Sequence, residues 1–435
     1  MNESPKVYLG LSLDILHHGH INIINKASSY GEVIVGLLSD KALAEGKRLP
    51  LLTYEKRKKI LEGIKNVSHI VCQDEWDYSK NLLKIKPDYM IHGDDWLKGP
   101  LAPYRELALK ALNSYGGKLI EIPYTKDVSS TKLINNLREL GTTPDIRRSY
   151  LKRLIASKNI VRIIESHSPL SALIGEKVSV IDNNKFKEFD GFWSSSLTDS
   201  TEMGKPDIEA LDISKRLENI NNIFEVTTKP LIMDADTGGK MEHFNLNIKS
   251  MERLGISAVI IEDKKGLKKN SLFGNEVEQT QEDIDLFSEK IFSAKKNIIS
   301  DDFMIIARVE SLILEKGMDD AIKRSLAYVK SGADGIMIHS RKKTPDEVFE
   351  FSKIFRKEYP YIPLVVVPTS FNQITESELA KNGFNIVIYA NQLLRAAYPA
   401  MRKVAEKILL DSCSSGVDQD IISISEILDL IPGTK

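Results

Sequence analysis

One segment of the chain, residues 262–271, combines two carboxylates, four lysines, a glycine and a final Asn-Ser pair directly after an apolar run over residues 258–261. Carboxylates at the end of a strand can hold a divalent cation, and a mobile lysine-rich loop can cover an anionic substrate bound to that cation. An acidic segment followed by lysines is also typical of an ordinary solvated turn. The segment alone therefore leaves both interpretations open.

Eight short apolar, β-branched runs recur after residue 159 and are separated by stretches with helical periodicity. They cover residues 160–164, 191–193, 231–233, 258–261, 303–307, 335–338, 364–367 and 386–389. Eight strand-and-helix units in about 250 residues predict a closed (β/α)8 barrel, in which the active site lies at the carboxyl ends of the strands.

Polar residues follow nearly every one of these runs. They are Glu165, His167, Ser194, Ser195, Ser196, Asp234, Asp236, Glu262, Asp263, Lys264, Arg308, Glu310, His339 and residues 368–370. Taken singly, an Asp after a strand most often caps the next helix, and a lone Arg or His is often a buried structural residue. Their placement after successive strands favours one shared pocket instead.

At these positions the sequence resembles the phosphoenolpyruvate mutases of the isocitrate lyase and mutase superfamily. The resemblance spans about residues 155–410, and the spacing between motifs is preserved. The segments that carry it are residues 191–197, Asp207, residues 233–239, 262–271, 307–310, 338–340 and 366–369.

The resemblance implies a Mg²⁺-dependent isomerisation of phosphoenolpyruvate to 3-phosphonopyruvate. Moving a phosphoryl group from the enol oxygen to carbon 3 demands charge neutralisation and tight positioning. Mg²⁺ prefers oxygen ligands and keeps several waters. By resemblance, Asp234 is the direct metal ligand. The ligands that act through water are Asp207, Asp236 and Glu262.

The family pattern also assigns the groups that hold the phosphoryl group. Arg308 would donate a fork of hydrogen bonds to it, and His339 with Asn270 would hold it in transit. Lys264 and Lys268 would add positive charge from the mobile loop.

The remaining substrate contacts follow from the same resemblance. Backbone N–H groups of Ser195, Ser196 and Leu197 would take the substrate carboxylate, Trp193 would wall the pyruvyl plane, and Ser271 would join from the loop. The family usually carries Gly where this chain has Ser196. A serine there would be strained if the position required a positive φ.

Two other activities occur in this superfamily. Its C–C lyases carry a Lys-Lys-Cys-Gly-His segment in the corresponding loop, which is absent here, and the two cysteines, Cys72 and Cys413, lie away from the barrel strand ends. A phosphonopyruvate hydrolase shares the metal carboxylates and differs mainly in loop detail. The hydrolase is therefore the nearer alternative. In place of the lyase segment, this chain carries at residues 270–271 the same Asn-Ser pair as the mutases.

The first 140 residues predict a different unit. Short apolar runs at residues 7–11, 33–37, 69–71, 89–91 and 119–122 alternate with helical segments, which favours a doubly wound parallel sheet. Between the first strand and the first helix, His17 and His20 form a His-x-Gly-His turn. At a helix N-terminus such a turn can present two imidazoles and free backbone N–H groups to phosphates.

This front unit resembles the glycerol-3-phosphate cytidylyltransferases over nearly its whole length. The matching pieces are residues 14–20, 53–57, 93–96 and 128–132. The resemblance implies that His17 and His20 stabilise the α-phosphate of CTP while CMP is transferred to a phosphate or phosphonate acceptor. The other implied nucleotide-binding residues are Asp14, Asp94, Ser130 and Thr131.

Three departures bear on catalysis by the front unit. Leu11 replaces the glycine that allows close approach of the nucleotide, Tyr124 replaces an arginine that faces the phosphates, and Gly46 replaces a loop lysine. The adjacent Lys47 and Arg48 could substitute for that lysine. Two alternatives remain, an active transferase and a non-catalytic nucleotide-binding or scaffold module.

Length and composition bound the organisation of the chain. The 435 residues predict a nucleotide-binding domain over 1–140, a linker over 141–150, and a barrel with C-terminal helices over 151–435. A net charge of -1 predicts no general attraction to nucleic acid or membrane. No long apolar segment or secretory signal occurs, so we expect a cytoplasmic protein.

Family resemblance also implies partners. We expect a homo-oligomer, a dimer or a tetramer, often with a helix exchanged between subunits. Since the isomerisation equilibrium favours phosphoenolpyruvate, we expect functional coupling to a phosphonopyruvate decarboxylase that removes the product.

Overall fold

A computed structural model of the chain describes residues 4–46, 48–97, 101–123, 141–182, 185–266 and 268–431. In this part the chain forms an open parallel sheet followed by a closed barrel. Both predicted fold classes are confirmed. Among the described residues, no helix combines the length and the apolar character needed to cross a bilayer.

The front unit is a five-stranded parallel sheet in the order β3-β2-β1-β4-β5. The chain moves outward from β1 first to one side and then to the other, which is the doubly wound topology. The strands are β1 Lys6–Leu11, β2 Glu32–Leu38, β3 His69–Gln73, β4 Tyr89–Gly93 and β5 Lys118–Ile122. The helices are α1 His18–Ser28, α2 Asp40–Gly46, α3 Tyr54–Glu62, α4 Ser79–Ile85 and α5 Ala102–Asn113.

The second unit is a closed barrel of parallel strands. Its strands are β6 Val161–Glu165, β9 Gly191–Ser194, β10 Leu231–Asp234, β11 Ala258–Glu262, β14 Met304–Val309, β15 Gly335–Ile338, β16 Leu364–Val366 and β17 Ile386–Tyr389. Each begins within one residue of the predicted run. The strands read as continuous apolar segments because side chains on both faces are buried, inside the barrel and beneath the outer helices.

The outer helices complete the barrel. They are α6 Pro144–Ser157, α7 Pro169–Lys177, α8 Ser196–Glu202, α9 Ile213–Phe224, α10 Met241–Leu254, α11 Ile284–Asn297, α12 Met318–Lys330, α13 Asp346–Glu358, α14 Glu376–Lys381, α15 Gln392–Asp411 and α16 Ile424–Asp429. Two antiparallel hairpins stand outside the barrel sheet, β7 Ser179–Asp182 with β8 Lys185–Glu188, and β12 Lys264–Lys265 with β13 Thr280–Gln281.

Helix α6 begins at Pro144, inside the interval 141–150 that the sequence predicted as a linker. Proline at the first helical position favours a helix start, because its fixed φ suits the helix and its missing N–H would have no partner there. Tyr150, Leu151 and Leu154 of α6 pack with strand residues inside the barrel. The predicted linker is therefore largely the helix that closes the amino-terminal end of the barrel.

Residues 48–51 of the front unit dock against this closing helix. Tyr150 Oη donates to the carbonyl of Leu49 at 2.5 Å, and Arg153 donates to the carbonyl of Pro50 at 2.7 Å. Arg48 reaches past the helix to Glu176 Oε1 at 2.7 Å and to Thr228 Oγ1 at 2.8 Å. The two units thus meet at the amino-terminal end of the barrel, away from the carboxyl ends of its strands.

The Arg48–Glu176 pair provides a test of this docking. The side chains are only 12% and 15% exposed, so removing one leaves the other charge largely desolvated. We expect Arg48→Ala to lower the free energy of unfolding by about 1–3 kcal/mol in urea denaturation followed by circular dichroism.

Lys215→Ala is the control, since its pair with Glu218 is more than 60% exposed on both sides. An exposed pair should change the unfolding free energy by less than about 0.5 kcal/mol. An Arg48→Ala effect no larger than that of the control would contradict the docking role.

Candidate active site

The carboxyl ends of the barrel strands surround a cavity of about 60 Å³. Its lining includes most of the predicted site residues, namely Trp193, Ser195, Ser196, Leu197, Asp207, Asp234, Lys268, Asn270, Ser271, Arg308 and His339. Residues that lie far apart in the sequence therefore converge on one cavity, as the strand-end pattern predicted. Glu262, Asp236 and Lys264 lie beside it through the contacts described below.

Acidic side chains gather around the ammonium group of Lys268. Its Nζ lies 2.6 Å from Asp236 Oδ1, 3.3 Å from Asp207 Oδ1 and 3.5 Å from Asp234 Oδ2. Ser196 Oγ also donates to Asp234 Oδ2 at 2.9 Å. Three of the four predicted metal carboxylates thus face one small volume.

Asp236 has an unusual backbone. Its φ of 55° lies in the left-handed region, which a residue with a Cβ adopts at an energetic cost. The Asp236 N–H donates to Asp234 Oδ1 at 3.0 Å, so this turn directs both carboxylates toward the same side.

Glu262 is the remaining predicted ligand, and it is only 1% exposed. Neither of its carboxylate oxygens has a hydrogen-bond partner, although Arg308 Nη2 lies 3.4 Å away and Lys264 Nζ 3.6 Å away. Burying a carboxylate without hydrogen bonds is unfavourable unless a cation satisfies it. This orphaned carboxylate fits a site built for a hard divalent cation.

The spacing of the acidic groups is also informative. Within the described ranges, no three His, Cys, Asp or Glu side chains lie close enough to chelate a metal directly. An all-oxygen donor set with wide spacing suits a cation that keeps several of its waters, which is the behaviour of Mg²⁺. The residues therefore fit one direct carboxylate with others acting through water.

Burial and neighbouring charges act in opposite ways on these acids. Burial disfavours the charged form of Asp234, but the surrounding cations, Lys268 first, outweigh it and hold the pKa of Asp234 below its usual range. For Glu262 burial prevails and raises the pKa to about 7. The two carboxyl groups also differ in hydrogen bonding, because Asp234 accepts from Ser196 Oγ and from the Asp236 N–H whereas Glu262 accepts from no donor among the described residues.

Arg308 organises the opposite side of the cavity. Its guanidinium donates to Glu310 Oε1 and Ser271 Oγ, each at 2.5 Å, and to His339 Nδ1 at 3.1 Å. Since arginine only donates, His339 Nδ1 must accept, and the proton of the neutral ring lies on Nε2. Burial and then the charge of Arg308 lower the pKa of His339, which keeps the ring neutral.

The loop between β12 and β13 contacts this cluster directly. Lys264 Nζ donates to Ser271 Oγ at 2.8 Å and lies 3.0 Å from Glu310 Oε2. Ser271 Oγ donates to Glu310 Oε2 at 2.5 Å, and Asn270 Nδ2 donates to Asp207 Oδ2 at 2.9 Å. Glu310 therefore receives groups from both the rigid strand β14 and the loop, so it links loop position to Arg308.

A second buried carboxylate fastens the base of the loop. Asp263 accepts from the Glu310 N–H at 2.9 Å, from Gln281 Nε2 at 2.9 Å and from Tyr328 Oη at 2.8 Å. Arg324 Nη1 lies 3.3 Å away. The two ends of the loop are thus held at one point behind the cavity.

The predicted strain at Ser196 does not occur. Ser196 is the first residue of α8 and is not among the described non-glycine residues with positive φ. A serine is accommodated there because the helix start needs only ordinary backbone angles. The adjacent Trp193 is 2% exposed and lines the cavity from inside the barrel.

Strand-end patterns missed Arg216, which lies on helix α9. Its guanidinium contacts the main chain of Ser194 and Asp234 and the carboxylates of Asp199 and Asp236. A signal was present in the sequence, because an arginine shares one helix face with the apolar Ile220 at helical spacing. Glu310 was noted at a strand end but was not assigned to the site.

In the front unit, the two histidines of the predicted motif lie together. His17 is the N-cap of α1, and its Nδ1 accepts from the Gly19 N–H at 3.1 Å. His20 Nδ1 accepts from the His17 N–H at 3.3 Å, and the two ring centroids are 4.0 Å apart. Burial, reinforced by His17, lowers the pKa of His20 to about 4, so its ring is neutral with the proton on Nε2.

Of the other predicted nucleotide-binding residues, the structure describes two, Asp14 and Asp94. Asp14 Oδ1 accepts from the Leu51 N–H at 2.7 Å, and Asp94 opens a short 3-10 turn after β4. Ser130 and Thr131 lie outside the described residues, as do Tyr124 and Lys47.

Arg48 cannot act as the expected substitute cation in this arrangement. Its guanidinium is committed to Glu176 and Thr228 of the second unit, as described above. The glycine at position 46 is explained by packing, because a Cβ there would lie 2.9 Å from the indole nitrogen of Trp76. Leu11 is 8% exposed and belongs to the sheet core.

Comparisons with known proteins match both units. A family model described as phosphoenolpyruvate phosphomutase matches residues 151–409. A second model, described as cytidylyltransferase-like, matches residues 8–136. The two matched regions correspond to the closed barrel and to the open sheet.

Among characterised relatives, phosphonopyruvate hydrolase of Variovorax sp. (strain Pal2) is 36% identical over 282 residues, 64% of this chain and 93% of that protein. Phosphoenolpyruvate phosphomutase of Tetrahymena pyriformis is 32% identical over 299 residues, 68% of this chain and 95% of that protein. These relatives match about two thirds of the chain and include two activities.

Solved structures give the same picture. Phosphoenolpyruvate phosphomutase from Streptomyces platensis subsp. rosaceus is 33% identical, with a TM-score of 0.60 over 65% of this chain and 94% of that chain. Phosphonopyruvate hydrolase in complex with oxalate and Mg²⁺ is 34% identical, with a TM-score of 0.58 over 66% of this chain and 95% of that chain.

The raised pKa of Glu262 predicts a pH-dependent effect of Glu262→Gln on stability. Below the ordinary pKa of 4.5 the carboxyl is protonated in both the folded and unfolded states, whereas above about pH 7 the folded state must bury the charge. In EDTA we expect the variant to gain about 1–3 kcal/mol of unfolding free energy at pH 8 and almost nothing near pH 4.5.

Urea denaturation at the two pH values measures this gain, and Mn²⁺ titration followed by electron paramagnetic resonance should show at least about tenfold weaker metal binding. Glu218→Gln, on the exposed face of α9, is the control and should change neither quantity. A Glu262→Gln protein that is less stable at pH 8 in EDTA would contradict the uncompensated burial.

Proposed function

The chain belongs to the phosphoenolpyruvate mutase family, and from this premise we propose that its barrel is a Mg²⁺-dependent mutase that interconverts phosphoenolpyruvate and 3-phosphonopyruvate. The observation that carries the proposal is the loop pair Asn270 and Ser271, which closes over the cavity and bonds to Asp207, Arg308 and Glu310. A mutase must keep water away from the migrating phosphoryl group, since water would capture it.

In the proposed reaction the bond between phosphorus and the enol oxygen breaks, a bond from phosphorus to carbon 3 forms, and the enol oxygen becomes a ketone. Arg308 holds the phosphoryl oxygens through its fork of donors. His339 presents its Nε2–H and Asn270 its amide to the same group during transfer. Because these side chains are already held by Glu310 and Asp207, little reorganisation accompanies the step.

The pyruvyl part of the substrate lies on the other side of the cavity. Backbone N–H groups of residues 195–197 take the carboxylate, and Trp193 restricts the plane of the three carbons. Asp234 would hold Mg²⁺ directly, with Asp207, Asp236 and Glu262 acting through water. The bound cation would neutralise the negative charge that the substrate brings.

Lys264 and Lys268 supply positive charge from the loop. Both are at least 97% buried in the closed arrangement. Lys268 lies on the loop, so it acts in the closed arrangement and leaves the cavity when the loop opens for exchange with solvent. Lys264 stays in place, because it lies on β12 beside the fixed Asp263.

Phosphonopyruvate hydrolysis is the second candidate, and the 36% identity to a hydrolase favours it. The metal carboxylates suit both activities. The two candidates differ in whether water reaches the phosphoryl group, which depends on how well residues 270–271 seal the loop.

Phosphorus NMR with 3-phosphonopyruvate and Mg²⁺ separates the two. A mutase converts the phosphonate signal into phosphoenolpyruvate, which the equilibrium favours, whereas a hydrolase yields inorganic phosphate and pyruvate. We expect phosphoenolpyruvate, and a phosphate signal as the primary product would refute the mutase assignment.

Asp234→Ala should lower turnover by at least about 1,000-fold while the circular dichroism spectrum is unchanged, because the direct metal ligand is lost. Asp301→Ala, at an exposed position before β14, is the matched control and should retain full turnover. Appreciable activity in Asp234→Ala would contradict its role as metal ligand.

For the front unit we propose CTP binding, with transfer of CMP to a phosphate or phosphonate acceptor. Support comes from the two neutral imidazoles of His17 and His20, whose Nε2–H groups suit hydrogen bonds to phosphate. The commitment of Arg48 to the barrel favours the alternative, a module that binds the nucleotide without catalysis.

Isothermal titration with CTP and a pyrophosphate-release assay with phosphonate acceptors distinguish these alternatives. We expect His20→Ala to weaken CTP binding about tenfold, the effect of losing one good hydrogen bond to a charged group. His69→Ala, on an exposed ring, is the control. Binding without pyrophosphate release would indicate the non-catalytic module, and no CTP binding by the wild type would exclude both.

We also propose a homo-oligomer in which α15 of one copy packs on the barrel of another. None of the described residues of α15 is buried, and its Tyr398 and Met401 are each 64% exposed. An open groove of about 1220 Å³ lies on the same barrel, over β6 and β17 and between the β7–β8 hairpin and α14. A phosphonopyruvate decarboxylase would then draw the product of each site forward.

Light scattering after size exclusion tests the assembly. We expect the wild type to run as a dimer or tetramer and Met401→Asp to shift toward monomer, because a charge on the apolar face opposes packing. Glu406→Lys, at an exposed position on the same helix, is the control for a charge change. A monomeric wild type would contradict the proposal.

A further inference from the structure

Arg216 is a buried cation placed between two catalytic strands, although it belongs to an outer helix. Its side chain is 2% exposed, and helix α9 brings it beneath the carboxyl ends of β9 and β10. Its Nε donates to Asp199 Oδ2 at 2.9 Å, and Nη2 donates to the carbonyl of Ser194 at 3.2 Å. Nη1 donates to the carbonyl of Asp234 at 2.5 Å and lies 3.4 Å from Asp236 Oδ2.

These contacts begin where the strand ladder stops. The registered pairs of β9 and β10 run from Phe192 opposite Leu231 to Ser194 opposite Met233. Beyond the last pair, α8 departs from one strand and the turn containing Asp236 departs from the other. The guanidinium spans this gap by binding the carbonyls of Ser194 and Asp234.

The same side chain also reaches α8. Asp199 lies on that helix, and its Oδ2 accepts from Arg216 Nε and from Ser194 Oγ, the latter at 2.6 Å. Helix α8 begins with Ser196, so the proposed carboxylate-binding turn is carried on the element that Asp199 anchors. Arg216 therefore bonds to both the element that carries the turn and the strand that carries the metal carboxylates.

We propose that Arg216 is a positioning residue that sets the separation between the carboxylate-binding turn, residues 195–197, and the metal carboxylates Asp234 and Asp236. The inference rests on the proposed substrate-binding mode, but it holds equally for a mutase or a hydrolase. Arg216 is not a catalytic residue, because Asp234 and Ser194 stand between it and the cavity.

The geometry requires arginine in particular. Five donors in a rigid plane serve five acceptor groups, namely the carbonyls of Ser194 and Asp234, the Ser194 hydroxyl and the carboxylates of Asp199 and Asp236. The ammonium of lysine, as a point charge on a flexible stem, cannot reach them together. Arg216→Lys should therefore keep the positive charge but no longer fix the separation between residues 195–197 and the metal carboxylates. Asp199→Asn should keep the shape of the partner and weaken its hydrogen bonds to Arg216 and to Ser194 Oγ.

Oxalate is the probe, since its two adjacent carboxylates can engage the metal and the turn at once. Mn²⁺ affinity is measured by electron paramagnetic resonance, and oxalate affinity by titration calorimetry at saturating Mn²⁺. For Arg216→Lys we expect oxalate binding to weaken at least about tenfold while Mn²⁺ binding changes less than about threefold. Asp199→Asn should show the same pattern to a smaller extent, and KM for 3-phosphonopyruvate should rise in both.

Arg147→Lys is the matched control. Arg147 is also a buried arginine on a barrel helix, 4% exposed, but it lies at the amino-terminal end and stacks 3.7 Å from the ring centroid of Phe224. It should lower the melting temperature without a change in oxalate affinity. This separates positioning from a general loss of stability.

Unchanged oxalate affinity in folded Arg216→Lys would overturn the inference, as would equal losses of oxalate and Mn²⁺ affinity. A wild type that binds no oxalate with Mn²⁺ would also overturn it, because there would then be no separation to set. Normal oxalate results together with a phosphate product in the NMR assay would leave the inference standing and reject only the mutase assignment.

Discussion

Buried negative charge at one end of the barrel is the constraint on which the rest of this structure depends. Carboxylates from three strand ends and a loop face a volume from which most water is excluded, and each would be unstable there alone. Arginines and lysines from separate elements offset them unequally. The result is one acid, Asp234, held ionised, and another, Glu262, whose buried oxygens lack hydrogen bonds. A divalent cation is the natural complement of that imbalance.

The elements around this charge have separate tasks. Parallel strands give rigid starting points for Asp234 and Arg308. The main chain of Arg308 pairs with a strand on each side, whereas Asp234 pairs with β11 on one side and is held by Arg216 on the other. The loop supplies Asn270 and Ser271. Glu310 joins the strand and the loop, since it accepts from Arg308 of the strand and from Ser271 of the loop. The position of the loop and the orientation of Arg308 are therefore coupled through Glu310.

The sequence was sufficient to predict those features that follow from a local pattern of residues. Buried parallel strands appear as short apolar runs, so every strand of the open sheet and of the barrel was located to within one or two residues, whereas the four short hairpin strands were not predicted. The residues that follow those runs share one end of the barrel by topology alone, and this brought Asp234, Arg308 and His339 together.

Contacts between elements that are distant in the sequence could not be predicted from local patterns. Arg216 acts from the middle of a helix, and no strand-end pattern marks it. Helix α6 begins inside the predicted linker because the apolar face of the helix packs against the amino-terminal end of the barrel interior. That packing surface exists only once the barrel has closed. The partners of Arg48 likewise depend on how the two units pack, so the sequence could offer it only as a substitute for the loop lysine and could not show its bonds to Glu176 and Thr228.

The attachment of the front unit to the floor of the barrel has a kinetic consequence. In the described part of the chain, the cavity lined by Asp234, Arg308 and His339 lies at one end of the barrel, and the contacts of the front unit lie at the other. Packed side chains fill the barrel interior between these two ends. Covalent linkage in this geometry sets a one-to-one ratio of the two units, and a small molecule that moves from one end of the barrel to the other has to travel around it.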